Sequence, residues 1–377
     1  MKLILLSAIL LVAPISNAAE RVVLVAGGGA NTNTSVPIKA TEAKLDSPFG
    51  VDFDAAGNLY LVEMTGNRVR KLDKNGILTV IAGTGEKGMN DGPGLTSRLN
   101  GPHNLAISGN QVFLADTWNN CVRVLNLDTN NVERFIGTGE KGYAGDDGVA
   151  INAKFGGIYC ISVGLDNKFY VADLDNARIR VVVPADGLFH TEVRNSREGV
   201  RRFYFKMNGI VHTVAGNGLK GVPAEGAKAT EAPLNDPRAV IADALGQVYV
   251  LERDGHSLRM VDTNGMIRTL VGTGEKGNTG DGGSARQATL NGPKHLCFDV
   301  AGNVIIADTE NHVVRKYLLR ENRIVRVAGT GRKGSKGVGG PPLEVELNQP
   351  HGVYVHRDGT LYICDSSNHR VLKIERR

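Results

Sequence analysis

One block of sequence recurs along this chain and limits what it can fold into. Residues 99–123 read LNGPHNLAISGNQVFLADTWNNCVR, residues 290–315 read LNGPKHLCFDVAGNVIIADTENHVVR, and residues 347–372 read LNQPHGVYVHRDGTLYICDSSNHRVL. Aligned on these copies, most of the chain falls into six repeats that begin at Leu45, Leu99, Phe155, Leu234, Leu290 and Leu347. Self-similarity at a fixed period means that each repeat is one supersecondary unit, which buries its apolar faces only against its neighbours. The starts lie 54–57 residues apart, except that the third repeat runs 79 residues and carries an insertion at 184–206.

Each repeat has the same parts. A turn with Pro or Gly opens into a short apolar strand, as at Leu105–Ile107 and Val353–Val355. A second, alternating strand ends in an acid: Glu63, Asp116, Asp173, Glu252, Asp308 or Asp365. A third strand follows a polar turn, and a fourth ends in a glycine-rich turn such as Gly83–Gly88. Period-two alternation without any helical period predicts an all-β chain. The 48 glycines supply its tight turns. Four strands per repeat predict a six-bladed β-propeller of four-stranded antiparallel blades.

Closure follows from a surplus and a deficit. The sixth repeat stops at Arg377 after its third strand, while Arg21–Gly29 (RVVLVAGGG) reads as a fourth strand with no repeat before it. The N-terminal strand is therefore expected to complete the last blade and remove an open edge. The linker Ala30–Lys44 is polar.

The repeat resembles the NHL-repeat family of six-bladed propellers. The resemblance is carried by Pro48-Phe49-Gly50-Val51 with Leu59–Glu63 and Asn67-Arg68-Val69. It is clearer in Pro350-His351-Gly352-Val353 with Tyr362–Asp365 and Asn368-His369-Arg370-Val371. It covers residues 21–377. It implies the propeller fold and leaves function open, because similar propellers serve as binding platforms, extracellular sensors, RNA-binding domains and, in some branches, enzymes.

Residues repeated in every blade are scaffold. Gly or Asn stands three residues after the acid, and Arg stands seven after it in five repeats, with Leu372 in the sixth. A carboxylate there can take turn amides and a nearby guanidinium. The GTGEKG loops lack the Ser/Thr and the helix that a phosphate loop needs. Asp-rich turns such as Gly145–Gly148 and Gly280–Gly283 supply too few oxygens for calcium by themselves.

Positions that differ between blades are the candidate site. The residues opening the innermost strands are Phe49, His103, Tyr159, Arg238, Lys294 and His351, followed by Gly50, Asn104, Cys160, Ala239, His295 and Gly352. They line the mouth of the central channel, where ligands bind most readily. From these the candidate ligand-binding set is Phe49, His103, Asn104, Tyr159, Arg238, Lys294 and His351. Arg238 and Lys294, with protonated His103 and His351, would make the mouth positive and suited to an anionic small molecule, an acidic glycan or a peptide or protein partner. The alternative is a metal-dependent lyase or hydrolase holding zinc or copper on His103, His295 and His351. Here the resemblance adds that the peptide-amidating lyase branch carries metal-binding histidines around the channel, some after proline. His295 is one residue out of register, and strand alternation would turn it from the side the other two face. The aligned ring holds no carboxylate for a calcium-dependent hydrolase.

Composition narrows the partners. A formal charge of +5 over 377 residues and no dense Lys/Arg block argue against nucleic acid. The richest basic piece, Arg194–Lys206, reads as a solvated insertion. Residues 1–18 have a basic start at Lys2, an apolar run Leu3–Val12 and small residues at Ser16 and Ala18. They read as a secretory signal, leaving 19–377 as one exported, periplasmic or extracellular domain without a membrane span. Cys121, Cys160, Cys297 and Cys364 have no metal or redox spacing and read as buried thiols.

Overall fold

The structure, a computed structural model, describes residues 20–166, 168–184 and 209–376. The signal segment, nearly all of the insertion with its basic stretch, and the turn residue Asn167 lie outside the described residues. Among the described residues, no helix is long and apolar enough to cross a membrane.

The chain folds into six antiparallel sheets, one per repeat. Their innermost strands are Pro48–Phe53, Pro102–Ser108, Ile158–Val163, Pro237–Ala242, His295–Phe298 and Pro350–Val355. Three blades gain a two-residue fifth strand at the outer edge: Ile38–Lys39, Gly92–Pro93 and Ala227–Lys228. The first of these comes from the polar linker. The order Glu20–Gly27, Arg370–Arg376, Leu361–Asp365, Pro350–Val355 closes the ring. Val22 pairs with Ile374 and Leu24 with Leu372. Val22 is fully buried, so the closing strand also carries core.

The six acids organise the blades. Each is fully buried and accepts the backbone N–H at the start of its own repeat, as from Asn100 to Asp116 at 2.7 Å and from Asn291 to Asp308 at 2.8 Å. Where the acid is Asp, the Asn three residues on donates to it and to a carbonyl of the preceding glycine turn: Asn119 binds Asp116 and Gly88, and Asn311 binds Asp308 and Gly277. Where that position is Gly, the acid is the longer Glu. A Cβ on Gly66 would lie 3.2 Å from Glu63 Oε2, so the extra methylene fills the space of the missing amide. Burial pushes Asp116, Asp173 and Asp308 up to about 6 despite these donors. The sixth blade lacks Arg at the expected place, and Arg370 takes over by donating to Asp365 at 2.7 Å.

The Asp-rich turns hold arginines. Asp146 receives Arg180 at 2.6 Å, and Asp281 receives Arg315 and Arg326 at 2.8 and 3.0 Å. The GTGEKG turns bridge to the next repeat, Lys87 to Leu99 and Lys276 to Leu290. All four cysteines are free thiols, Cys297 partly exposed and the others buried.

One further link joins blade to blade. Four residues after each acid the chain takes a left-handed turn, at Asn67, Asn120, Ala177, His256, His312 and His369. In five of these the side chain accepts the backbone N–H just before the next innermost strand. Asn67 takes Gly101 at 2.8 Å, His256 takes Gly292 at 3.1 Å and His312 takes Gln349 at 3.1 Å. Asn120 takes Gly157 at 3.1 Å and His369 takes Ser47 at 3.2 Å. Ala177 has no acceptor to offer.

Candidate functional site at the channel mouth

A β-bulge aims the mouth residues. In the second blade Pro102 pairs with Asp116 and Asn104 with Ala115, so His103 is skipped. The same slip skips Phe49, Tyr159 and Arg238, and in the sixth blade both His351 and Gly352. A bulge leaves one residue unpaired and redirects its side chain. That is how five of the six innermost strands turn a side chain into the mouth; the fifth blade has no such slip, and Lys294 stands just before its strand His295–Phe298.

The side chains form a continuous set. The Phe49 and His351 rings stack with centroids 3.8 Å apart. His103 stands edge-on to Phe49 at 5.1 Å and to Tyr159 at 4.7 Å. The Arg238 guanidinium lies 3.9 Å above the Tyr159 ring. Lys294 reaches Glu310 at 2.6 Å.

The second position forms a floor. Asn104 and His295 meet across the channel, Asn104 Nδ2 to His295 Nε2 at 3.0 Å. The amide orientation is fixed because Asn104 Oδ1 accepts from Ile161 N–H at 3.0 Å. The amide therefore donates to Nε2, and neutral His295 carries its proton on Nδ1. Val353 N lies 3.4 Å from that nitrogen and cannot also donate to it. Burial and the nearby Arg238 hold His295 down to about 4, which keeps it neutral.

The three histidines do not meet as ligands. His295 is spent in the floor, His103 uses Nδ1 on the Gly101 carbonyl at 2.7 Å, and His351 stacks on Phe49. Among the described residues, no three His, Cys, Asp or Glu side chains are grouped to hold a metal ion.

The electrostatics differ from those of a broadly positive ring. Burial, then Arg238 and Lys294, hold His103 and His351 well below the ordinary imidazole value. Both are neutral at pH 7. Lys294 is lowered by burial and neutralised by Glu310. Arg253 pairs with Asp236 at 2.6 Å and with Asp254 at 3.1 Å. Arg238 stands apart. It is 4% exposed and makes no hydrogen bond or ion pair with the described residues. Its Nε and Nη1 are buried without a partner. Burial lowers it to about 10, still charged.

The strand alignment of the mouth omits a second ring. Two residues after each acid come Thr65, Trp118, Asp175, Asp254, Glu310 and Ser367. Trp118 stands edge-on to His103 at 5.7 Å, and Glu310 holds Lys294. The signal was legible, since these positions vary between blades just as the strand-opening residues do.

The architecture and the repeats define this chain as a six-bladed β-propeller, two of whose repeats match the NHL repeat. The NHL repeat family model matches residues 99–125 and 347–374, and the model for the teneurin NHL domain matches 206–278. The chain is 24% identical over 309 residues to the chloroplastic protein suppressor of quenching 1 of Arabidopsis thaliana, covering 78% of this chain and 27% of that protein. It is 25% identical to NHL repeat-containing protein 2 of Gallus gallus, covering 86% of this chain and 46% of the relative. The chain thus spans less than half the length of either curated relative. Among solved structures, an auxiliary nutrient binding protein from Bacteroides ovatus superposes with a TM-score of 0.64 at 16% identity, covering 95% and 77% of the two chains.

Proposed function

We propose that this chain is an exported binding protein whose channel mouth takes an acidic group, from a small anionic molecule, a glycan or the acidic end of a peptide or protein. The observation that carries the reading is Arg238. A buried guanidinium that makes no hydrogen bond or ion pair with the described residues is costly to keep, and an incoming carboxylate, sulfate or phosphate would supply the missing partner. The Asn104–His295 hydrogen bond crosses the channel beside this mouth. The nutrient-binding description of the Bacteroides ovatus neighbour is in keeping with a ligand-binding propeller.

The test is to titrate the protein with a panel of small carboxylates, sulfates and phosphates by calorimetry, and to repeat it with Arg238→Gln. Loss of one charge-assisted contact of about 1.5–3 kcal/mol predicts affinity falling about 10- to 100-fold. Unchanged affinity in the variant would remove Arg238, and with it this reading.

A further inference from the structure

We infer that the mouth selects monocarboxylates attached to a flat apolar body, with Trp118 as the residue that grips that body; this rests on the anion-binding reading above.

The first argument is charge. Among the described residues, the ionised groups around Arg238 are Arg253, Lys220 and Lys294 against Asp236, Asp254 and Glu310: Arg253 meets Asp236 at 2.6 Å and Asp254 at 3.1 Å, Lys220 meets Asp236 at 4.0 Å, and Lys294 meets Glu310 at 2.6 Å. With Arg238 included, four cations face three carboxylates. The unmet demand is local, on one guanidinium. A single negative charge satisfies it. A phosphate dianion would place its second charge beside carboxylates whose cations are already engaged, and close like charges repel strongly where water is excluded.

The second argument is the surface next to that charge. From Phe49 and His351 through His103 to Tyr159 and Trp118 the wall is made of rings. Its imidazoles are neutral, so it offers faces and edges to an apolar group and no further charge. Trp118 is 44% exposed where the equivalent turns carry Thr65, Asp175, Asp254, Glu310 and Ser367. Its indole rests against Gly101, where any side chain would collide with it, and the Lys87 ammonium stands 5.3 Å from its ring. A large aromatic ring is thus held half in water, in contact with the ring set that contains the unpaired arginine's stacking partner.

Trp118 is the chain's single tryptophan, so its fluorescence reports the site directly. The experiment titrates the protein with phenylacetate, acetate and inorganic phosphate at pH 7.5 and matched ionic strength, by fluorescence and calorimetry. Phenylacetate is expected to bind about tenfold tighter than acetate, and phosphate more weakly than either. Arg238→Gln should weaken both carboxylates. Trp118→Ala, measured by calorimetry, should erase the phenylacetate advantage and leave acetate unchanged. Phosphate binding as tightly as phenylacetate would keep the anion site and overturn the monocarboxylate selectivity. Equal binding of the two carboxylates, or equal losses in Trp118→Ala, would overturn the role of Trp118. Binding of none of the three anions would overturn this inference, while the Arg238→Gln panel above decides the underlying reading.

Discussion

Replacing Arg238 by methionine should make the ligand-free protein more stable. The guanidinium is buried, and that burial brings it from the ordinary 12.5 to about 10. That difference corresponds to about 3 kcal/mol of unfavourable free energy for keeping the charge inside. The opposing term is its stacking on Tyr159, worth about 1–2 kcal/mol for a desolvated cation over a ring. Methionine matches the stem in length, leaves no unpaired donor and keeps a sulfur contact with the ring, worth about 0.5–1 kcal/mol. The net expectation is a gain of about 2 kcal/mol, a few degrees in Tm for a large domain. Urea and thermal unfolding at pH 7.5 in a buffer of weakly binding anions would measure it. The same variant should lose carboxylate binding, and NMR titration should show His351 and His103 protonating at higher pH once Arg238 no longer repels the imidazolium. A stability loss of more than about 1 kcal/mol would refute the reasoning, because Arg238 would then be a structural residue.

The histidine links between blades predict acid sensitivity confined to one half of the ring. His256 and His312 accept through Nδ1, and burial holds both below the ordinary imidazole value despite Asp254 and Glu275 near the first and Glu310 near the second; Lys276, Lys294 and Lys333 push the same way as burial. A depressed folded-state value means that this stability is present above about pH 6.5 and is lost as pH falls through the folded values. The double variant His256→Asn/His312→Asn, copying Asn67 and Asn120, should match the parent at pH 8 and exceed it by about 1–2 kcal/mol at pH 5; parallel pH–stability curves would count against the links. Glu63→Asp should cost about 1–2 kcal/mol by shortening the reach to Arg70 and Asp46 N–H. Adding Gly66→Asn should recover much of that loss, since it rebuilds the Asp–Asn pair of the other blades, and a double-mutant cycle with no coupling would contradict it. Deleting Glu20–Gly27 should abolish cooperative unfolding, because it exposes Arg370–Arg376 as a free edge; an unchanged melting transition would show that the closing strand is dispensable.

The sequence by itself determined the repeat unit, the number of blades, the strand that closes the ring and the acid that anchors each blade. These rest on local patterns: alternation, turn residues, and a surplus strand matching a missing one. The mouth residues Phe49, His103, Tyr159, Arg238, Lys294 and His351 were legible too, because a variable position on a constant scaffold stands out within one chain. What those residues do was decided by tertiary structure. Asn104 reaches His295 across the channel, Glu310 cancels Lys294, and the bulge overrides simple strand alternation at the mouth. Trp118 and Glu310 join from turns outside the strand alignment. The physical reason is that charge and hydrogen bonding belong to pairs. Asn104 and His295 are 191 residues apart, and only the closed ring makes them neighbours. Arg238 looked like one of several cations in the sequence; burial and the pairing of the neighbouring charges leave it the mouth cation without an ion-pair partner among the described residues.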